Sequence, residues 1–455
     1  MWKTSLLPKA LTLGVLCFLI SVKGHKADDL IRTTESGQVQ GTQISIKKLD
    51  KSVDVFLGIP FAKPPIGALR FSPPQAPDSW NNVRDATSYP PMCLQDGRMQ
   101  ENMGKALKIK LPKVAISEDC LYLNIYVPGN TKEGDRLPVL SPMSKGLFHR
   151  AIMESGVAIL PGLIASSSDT VTNLVANLSA CERSSSASMV QCLRSKSEEE
   201  MLAMTKLFKI IPGVVDGKFL PRHPEELLAA GEFHHVPCII GVNNHEYGWS
   251  IPAELGISEL KEKMDKGDIQ STVQGPLLGI PPELGHLMIE EYLGDIEDPR
   301  ELRVQYQEMM GDWMFVIPAL KVAKYQHSSS SPVYFYEFQH RPSLFKDSKP
   351  DFVKADHGDE LLFTFGWSLL GDTTEEEKVL SHKMMSYWAN FARHGNPNGA
   401  DLLQWPAYGQ NEEYMQLNLQ LSVGKSLKGN KLEFWTKTVP QKMKESLLQK
   451  GRMEL

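Results

Sequence analysis

Short apolar runs that alternate with helical patterns constrain the fold of this chain more than any other feature of its sequence. The runs are rich in β-branched and aromatic residues, which is typical of buried strands. Strands that alternate with helices predict an α/β fold with a largely parallel sheet. The predicted strands are residues 53–57, 121–127, 236–242 and 333–338, and the predicted helices are residues 224–230, 302–325 and 375–393.

The composition is that of a globular protein with no marked charge bias. The chain has 455 residues, of which 42% are hydrophobic, and its formal net charge is -5. This balance gives no support to nucleic-acid binding. The histidines and cysteines lack the spacing of metal ligands, so we expect no metal and no organic cofactor. No linker divides the chain, and we predict one domain over residues 25–455.

The first 24 residues have the layout of a cleavable secretory signal. Lys3 and Lys9 precede an apolar run over residues 10–22, which is too short to span a bilayer. We therefore expect cleavage after Gly24, no transmembrane segment, and a mature chain in an oxidising compartment. The last four residues, Arg452 to Leu455, resemble the tetrapeptide that retrieves proteins to the endoplasmic reticulum. This ending predicts retention in the lumen, with secretion as the alternative.

The cysteines agree with an oxidising compartment. Cys17 is removed with the signal, and Cys238 has no obvious partner. Its apolar surroundings favour a buried strand cysteine over the alternative, a reactive thiol. The other four bracket two loops that disulfides can close at modest entropic cost: Cys93 with Cys120, and Cys181 with Cys192.

Two further features of the sequence each have two interpretations. Asn177 begins a glycosylation sequon, which agrees with passage through the lumen, although an unmodified asparagine is the alternative. Residues 275–287 are apolar and rich in glycine and proline. They predict either a mobile lid near a hydrophobic cleft or a segment packed against the core.

Several strings, in one order along the chain, resemble the type-B carboxylesterase family, which includes the cholinesterases. Residues 214–228 and 355–361 are most similar to its mammalian intestinal type, carboxylesterase 2. The resemblance implies an α/β-hydrolase fold with a mainly parallel central sheet. The strings are FLGIPFAKPPIGALRF at 56–71, SEDCLYLNIYVP at 117–128, GVNNHEYGW at 241–249, ADHGDEL at 355–361 and WANFARHGNPNG at 388–399.

The resemblance also implies a Ser-Glu-His triad, in which a histidine takes the proton of an attacking serine and an acid holds the histidine. Glu246 occupies the family's acid position and His357 its base position. The implied substrates are carboxylic esters, thioesters and amides with a hydrophobic acyl or alcohol part. Without the family motifs, either residue would read as an ordinary surface carboxylate or histidine.

The nucleophilic serine and the oxyanion hole have no counterpart in the sequence. The chain has no two adjacent glycines, and no serine has glycines two residues away on both sides, as the G-x-S-x-G turn requires. Ser155 has Met153 and Val157 at those positions, which favours a capping or packing role. Ser368 and Ser426 also read as structural.

The missing segment is expected between Leu140 and Ser141. The string RLPVL, which ends at 140, begins a family strand, yet SPMSKGLFHRAIMESG, which follows the nucleophile helix in the family, comes next. A splice form or a genomic deletion of on the order of a hundred residues explains this order. The fold then lacks central strands and the nucleophile elbow. We expect exposed strand edges and a chain that folds poorly or is held by lumenal chaperones.

The sequence thus predicts a carboxylesterase-family protein that is catalytically inactive. One alternative is a weakly active ester hydrolase with a substitute nucleophile, either Ser155, Cys238 or a water activated by histidine. Another is a non-catalytic binding protein. The sequence does not choose an oligomeric state.

Overall fold

The computed structural model describes residues 30–46, 51–97, 104, 112–129, 148–165, 167–182, 184–205, 212–254, 264–274, 280–327, 331–369 and 372–453. The predicted signal, Cys17, the junction at 140/141 and the end of the retrieval tetrapeptide lie outside these residues. Contacts divide the chain into two compact units. Unit 1 is residues 1–95, 112–135 and 190–201, and unit 2 is residues 96–111, 136–189 and 202–455. The prediction of one domain over 25–455 stays a prediction.

Unit 1 contains two small three-stranded sheets. Their strands are β1 Ile31–Thr34, β2 Gly37–Gln40, β3 Thr42–Ile46, β4 Lys51–Pro60, β5 Arg84–Asp85 and β6 Tyr122–Pro128. One sheet has the order β1-β2-β5 and the other the order β3-β4-β6, which is antiparallel throughout. The predicted strands at 53–57 and 121–127 are therefore β4 and β6. A small apolar core joins Val39, Phe56, Ile59 and Ala86, with Trp80 packed against it.

A buried arginine ties the segments of unit 1 together. Arg70 is 7% exposed, and its guanidinium forms an ion pair with Glu118. The same guanidinium donates hydrogen bonds of 2.8 Å to the carbonyl oxygens of Leu193 and Lys196. Charge-assisted hydrogen bonds of this kind are stronger than neutral ones, so they fix the position of a helix end far along the chain.

Unit 2 is built on a five-stranded sheet of order β13-β12-β11-β10-β7. Strands β7, β10, β11 and β12 are parallel to one another, and β13 runs antiparallel to β12. Two residues each from β8 and β9 pair in a separate parallel ladder. The bounds are β7 Ala151–Glu154, β8 Ile164–Ala165, β9 Gly213–Val214, β10 Cys238–Asn243, β11 Val333–Phe338, β12 Glu413–Leu417 and β13 Ser422–Lys425.

Both faces of the central strands are covered, which explains their continuous apolar sequence. Side chains alternate between faces along a strand. Ile240 and Phe335 face a cluster that includes the helix Ile317–His327. Ile239 and Tyr336 face a second cluster, with residues from the helix Glu375–His394. The prediction of an α/β fold with parallel strands and helices is confirmed.

The helices follow the sequence signals closely at some ends and less closely at others. The predicted helix at 375–393 is Glu375–His394; it begins with a capping box from Thr374 and Glu377 and ends at Gly395, whose φ is 72°. The pattern at 302–325 covers three elements, because the π-turn Asp312–Val316 separates two α-helices. The α-helices are Asp169–Ser179, Ser186–Ser195, Glu198–Thr205, Pro224–Ala229, Ser250–Glu254, Lys266–Val273, Pro282–Leu293, Pro299–Gly311, Ile317–His327, Leu361–Thr364, Glu375–His394, Gly429–Glu433 and Val439–Met453.

The described part of the apolar segment at 275–287 packs into the core. Ile280 is buried, and the helix Pro282–Leu293 follows, with Met288 fully buried in the same cluster. These contacts favour the packed alternative over a lid. Residues 275–279 lie outside the described part of the chain. None of the described helices combines the length and apolar character needed to cross a membrane.

Among the described cysteines, four are in disulfides and one is a free thiol. A disulfide joins Cys93 and Cys120, and Cys181 and Cys192 are also in the disulfide form. Cys238 is free and 1% exposed at the start of β10. Burial raises the pKa of its thiol to about 12. A thiol that stays protonated and out of contact with solvent is a poor nucleophile.

We expect Cys238 of the native chain to resist alkylation by iodoacetamide at neutral pH. The expected rate is at least about tenfold lower than in denaturant, since only the exposed thiolate reacts. Peptide mass spectrometry of samples quenched over time measures the rate. Equal modification rates with and without denaturant would contradict the buried strand position.

Candidate active site

Two loops at the carboxyl ends of neighbouring strands carry the predicted acid and base. Glu246 lies three residues after the last residue of β10, Asn243, and His357 lies on a loop beyond β11. A single bridge between His245 and Asp356 joins the two loops. Parallel strands present their carboxyl ends at one edge of a sheet, where α/β proteins place their functional loops. The two predicted residues are brought together there.

Glu246 holds His357 through a short hydrogen bond. Its Oε2 lies 2.7 Å from Nδ1 of the imidazole, and the glutamate is only 1% exposed. The other carboxylate oxygen, Oε1, accepts hydrogen bonds of 2.6 Å from the Ser155 hydroxyl and from the backbone N–H of Asn243. Both oxygens are thus occupied, which fixes the carboxylate plane and the direction of the histidine ring.

The imidazole of His357 is held in its charged form. Burial by itself lowers its pKa, but the hydrogen bond and charge of Glu246, with further help from Glu360 and Asp356, outweigh burial and raise the pKa to about 9. The ring also contacts Phe315, with centroids 4.7 Å apart. Among the described residues, Nε2 of His357 has no hydrogen-bond partner.

Two further carboxyl groups surround this pair. Burial and the charge of Glu246 raise the pKa of Glu360 to about 8, and Asn243 donates to its carboxyl group. Burial raises the pKa of Glu154 to about 7, although the indole N–H of Trp388 donates to it at 2.5 Å. At neutral pH, Glu360 therefore carries a proton and Glu154 is partly protonated.

The two loops are joined by backbone hydrogen bonds to buried side chains. Asp356, which is fully buried, accepts hydrogen bonds of 3.0 Å from the backbone N–H groups of Trp249 and Ser250. The Nζ of buried Lys349 lies 3.0 Å from the Asp356 carboxylate and 2.6 Å from that of Asp359. The loop that carries His357 is thereby clamped to the loop that carries Glu246.

None of the three serines that the sequence analysis interpreted as structural hydrogen-bonds to His357 in the described part of the chain. Ser155 is 4% exposed and follows β7, and its hydroxyl donates to the acid Glu246 instead of to His357. Its φ of 48° is a left-handed conformation that is uncommon for a residue with a side chain. Ser368 is buried in the short turn Trp367–Leu369, and Ser426 follows β13. These positions agree with structural roles.

Sequence reasoning missed several residues that hold the pair. Asn243 and Glu360 lie inside the strings that indicate the family, but nothing in their types showed that they contact each other. The sequence did not indicate that Lys349 belongs to the site, because an isolated lysine usually lies on the surface. Asn177 has an exposed position on the helix Asp169–Ser179, whereas Ser179 of the same sequon is 4% exposed.

Comparisons with known proteins agree with the motifs. The model of the carboxylesterase family matches residues 28–141 and 137–435. The acylcarnitine hydrolase of Mus musculus is 44% identical over 536 aligned positions, which cover 95% of each chain. The cocaine esterase of Homo sapiens is 44% identical over 538 positions, 96% of each chain, and the pyrethroid hydrolase Ces2a of Mus musculus is 42% identical over 533, 95% of each.

An α/β fold with a hydrogen-bonded glutamate and histidine at the ends of adjacent strands, together with these matches, identifies the class. The chain belongs to the carboxylesterase family. The resemblance to the mammalian carboxylesterase 2 type is confirmed.

We expect the substitution Glu246→Gln to lower the pKa of His357 from about 9, since burial is then opposed only by the weaker effects of the Glu360 and Asp356 charges. The folded-state pKa lies above the unfolded value. The pair therefore stabilises the fold fully below pH 6.5, and this contribution is lost as the pH rises through about 9. NMR titration of labelled histidine measures the pKa.

The matched control is Glu375→Gln, which changes an exposed carboxylate at the start of the helix Glu375–His394. It should leave the titration of His357 unchanged. If Glu246→Gln also left that titration unchanged, the 2.7 Å contact would not be the source of the raised pKa.

Proposed function

We propose that this chain is a carboxylesterase-family protein that does not hydrolyse esters. The observation that carries the proposal is the hydrogen bonding of the acid–base pair. Glu246 and His357, the proposed acid and base, share a hydrogen bond, but the neighbouring Ser155 donates its hydroxyl to Glu246. Acyl transfer needs a hydroxyl that the base can deprotonate.

The absence of oxyanion donors in the sequence supports the same conclusion. Developing negative charge on the substrate oxygen needs backbone N–H groups at close range, which glycine-rich loops provide. The chain has neither adjacent glycines nor a G-x-S-x-G turn. Loss of a single donor typically lowers the rate by about 10² to 10³, so the loss of the whole loop adds a second barrier to the missing nucleophile.

Two features of the comparisons support a skipped segment at 140/141. The two stretches that match the family model meet at residues 137–141. The alignment with the human cocaine esterase extends over 538 positions, whereas the chain has 455 residues, so at least 83 positions have no residue in this chain. Sequencing transcripts across codons 140 and 141 distinguishes a splice form from a genomic deletion.

The sheet edges support missing central strands. In unit 2, β7 is an edge strand that pairs with β10 alone among the described residues. In unit 1, β6 is an edge strand that pairs with β4 alone within the described part, and Ile125 on it is 42% exposed. Within each unit, the unpaired edge strand supports the proposal that neighbouring strands are missing.

The substitute nucleophiles are poorly placed for catalysis. Ser155 is buried and bonded to Glu246, and Cys238 is buried with the pKa of its thiol raised to about 12. A water molecule activated by His357 would require a neutral imidazole, yet the pKa near 9 keeps the ring protonated at neutral pH. None of these groups offers an efficient route to ester hydrolysis.

The ligand class follows from the family even without turnover. The relatives are named for the hydrolysis of acylcarnitine, cocaine and pyrethroids, which are carboxylic esters with hydrophobic parts. Any residual affinity or activity of this chain would be directed to hydrophobic carboxylic esters, thioesters or amides. The exposed apolar edges make lumenal chaperones further expected partners.

We expect an organophosphonate probe to leave the purified chain unlabelled. An aryl acetate should be hydrolysed at least about 10³ times more slowly than by the human cocaine esterase, because the proposed chain lacks both the nucleophile and the oxyanion donors. The variant His357→Ala should give the same background rate as the unmodified chain. Saturable turnover that disappears in His357→Ala would overturn the proposal.

We further propose that the chain is glycosylated at Asn177 and retained in the endoplasmic reticulum, which the sequon and the tetrapeptide Arg452 to Leu455 support. In transfected cells, endoglycosidase H should reduce the apparent mass, and Asn177→Gln should abolish that reduction. Deletion of the last four residues should increase secretion into the medium. If the undeleted chain were secreted as efficiently as the truncated one, retention by this signal would be excluded.

A further inference from the structure

The edge strand β6 of unit 1 has little protection against edge-to-edge pairing beyond Pro128 at its end and a register shift in its pairing with β4. It pairs with β4 on one side, and no other described strand pairs with it. Its sequence, YLNIYVP, has no charged residue. Leu123, Ile125 and Tyr126 are 38%, 42% and 54% exposed. An uncharged edge with exposed apolar side chains is a template for another strand.

The sequence of this strand is nearly symmetrical about Asn124. Reading outwards, Leu123 matches Ile125, Tyr122 matches Tyr126, and Leu121 matches Val127 in size or type. In an antiparallel pair, residues at equal distances from the axis lie opposite each other. When two copies of this strand pair about Asn124, each residue therefore lies opposite a residue of similar size or type.

We propose that two copies of this chain associate by antiparallel pairing of their β6 strands, with the two-fold axis at Asn124. Leu123 of each copy then lies opposite Ile125 of the other, and Tyr122 lies opposite Tyr126. The two sheets β3-β4-β6 become one continuous six-stranded sheet. Such an isologous contact closes on itself, so the product is a dimer. The proposal does not depend on whether the acid–base pair is catalytically inactive.

The charges flanking the strand are compatible with this register. Asp119 precedes β6, and the same axis places it opposite Gly129 of the second copy, so the two aspartates do not meet. Cross-strand apolar and aromatic pairs stabilise a sheet, whereas like charges directly opposite each other destabilise it. A partner with a different sequence would have to match both the exposed apolar residues and their order, which the second copy already does.

The edge strand β13 of unit 2 provides a contrast within the same chain. It is also exposed, and Val423 on it is 40% exposed. It is shorter, however, and ends in Lys425, which pairs with Glu413. A lysine on an edge strand is a common device against edge-to-edge association. Val423 is therefore a matched position at which the same substitution should not affect association.

Light scattering coupled to size-exclusion chromatography tests the proposal on the mature chain at several concentrations. We expect twice the mass of one chain at high concentration, and the mass of one chain for Ile125→Lys, because each dimer would then hold two lysines beside the axis. Val423→Lys should keep the doubled mass. A circular dichroism spectrum matching that of the unmodified chain shows that Ile125→Lys folds.

Hydrogen exchange gives a second readout that needs no variant. Peptides covering residues 121–128 should become more protected as the concentration rises, while peptides covering β13 should not change. A single-chain mass at all concentrations, a doubled mass in Ile125→Lys, or concentration-independent exchange in β6 would each overturn the proposal. A mass above two copies would also overturn it, because pairing through one edge closes at two.

Discussion

The candidate site depends on the contacts of one buried carboxylate, that of Asp356. It accepts the backbone N–H groups of Trp249 and Ser250 and forms an ion pair with Lys349, so it joins the loop after β10 to the loop that carries His357. An unpaired buried charge is costly, and removing one partner of such a pair typically destabilises a protein by about 3 to 5 kcal/mol. The lysine and the two N–H groups thus compensate the buried charge, and the relative position of Glu246 and His357 follows from their arrangement.

The Asp356 contacts hold the Glu246 and His357 loops together through residues that all lie beyond the proposed junction at 140/141. The loop with Glu246 follows β10 and the loop with His357 follows β11. These two strands pair with each other along their full length and are buried on both faces. Neither strand is adjacent in sequence to the 140/141 junction. Partial protonation of the surrounding carboxyl groups prevents strong repulsion, because burial raises the pKa of Glu360 to about 8 and that of Glu154 to about 7.

The sequence predicted those features that depend on local pattern. The strand at 333–338 and the helix at 375–393 agree with the structure because continuous apolar residues and a capping box are local signals. Glu246 and His357 were identified only through family motifs. The hydrogen bond from Ser155 to Glu246 spans 91 residues, and no pattern near either residue indicates it. The π-turn Asp312–Val316 was also missed, because apolar periodicity continues through a single widened turn.

The raised pKa of His357 limits what its imidazole can do at neutral pH. A general base must be neutral to accept a proton, and its best pKa lies near the working pH. In this chain the carboxylate of Glu246 holds the pKa of His357 near 9, so at neutral pH the ring is already protonated. A hydroxyl brought near Nε2 would meet an imidazolium, which donates a hydrogen bond and cannot remove a proton. If the chain lacks its nucleophile as proposed, a serine would have to return together with the backbone amides that stabilise the oxyanion.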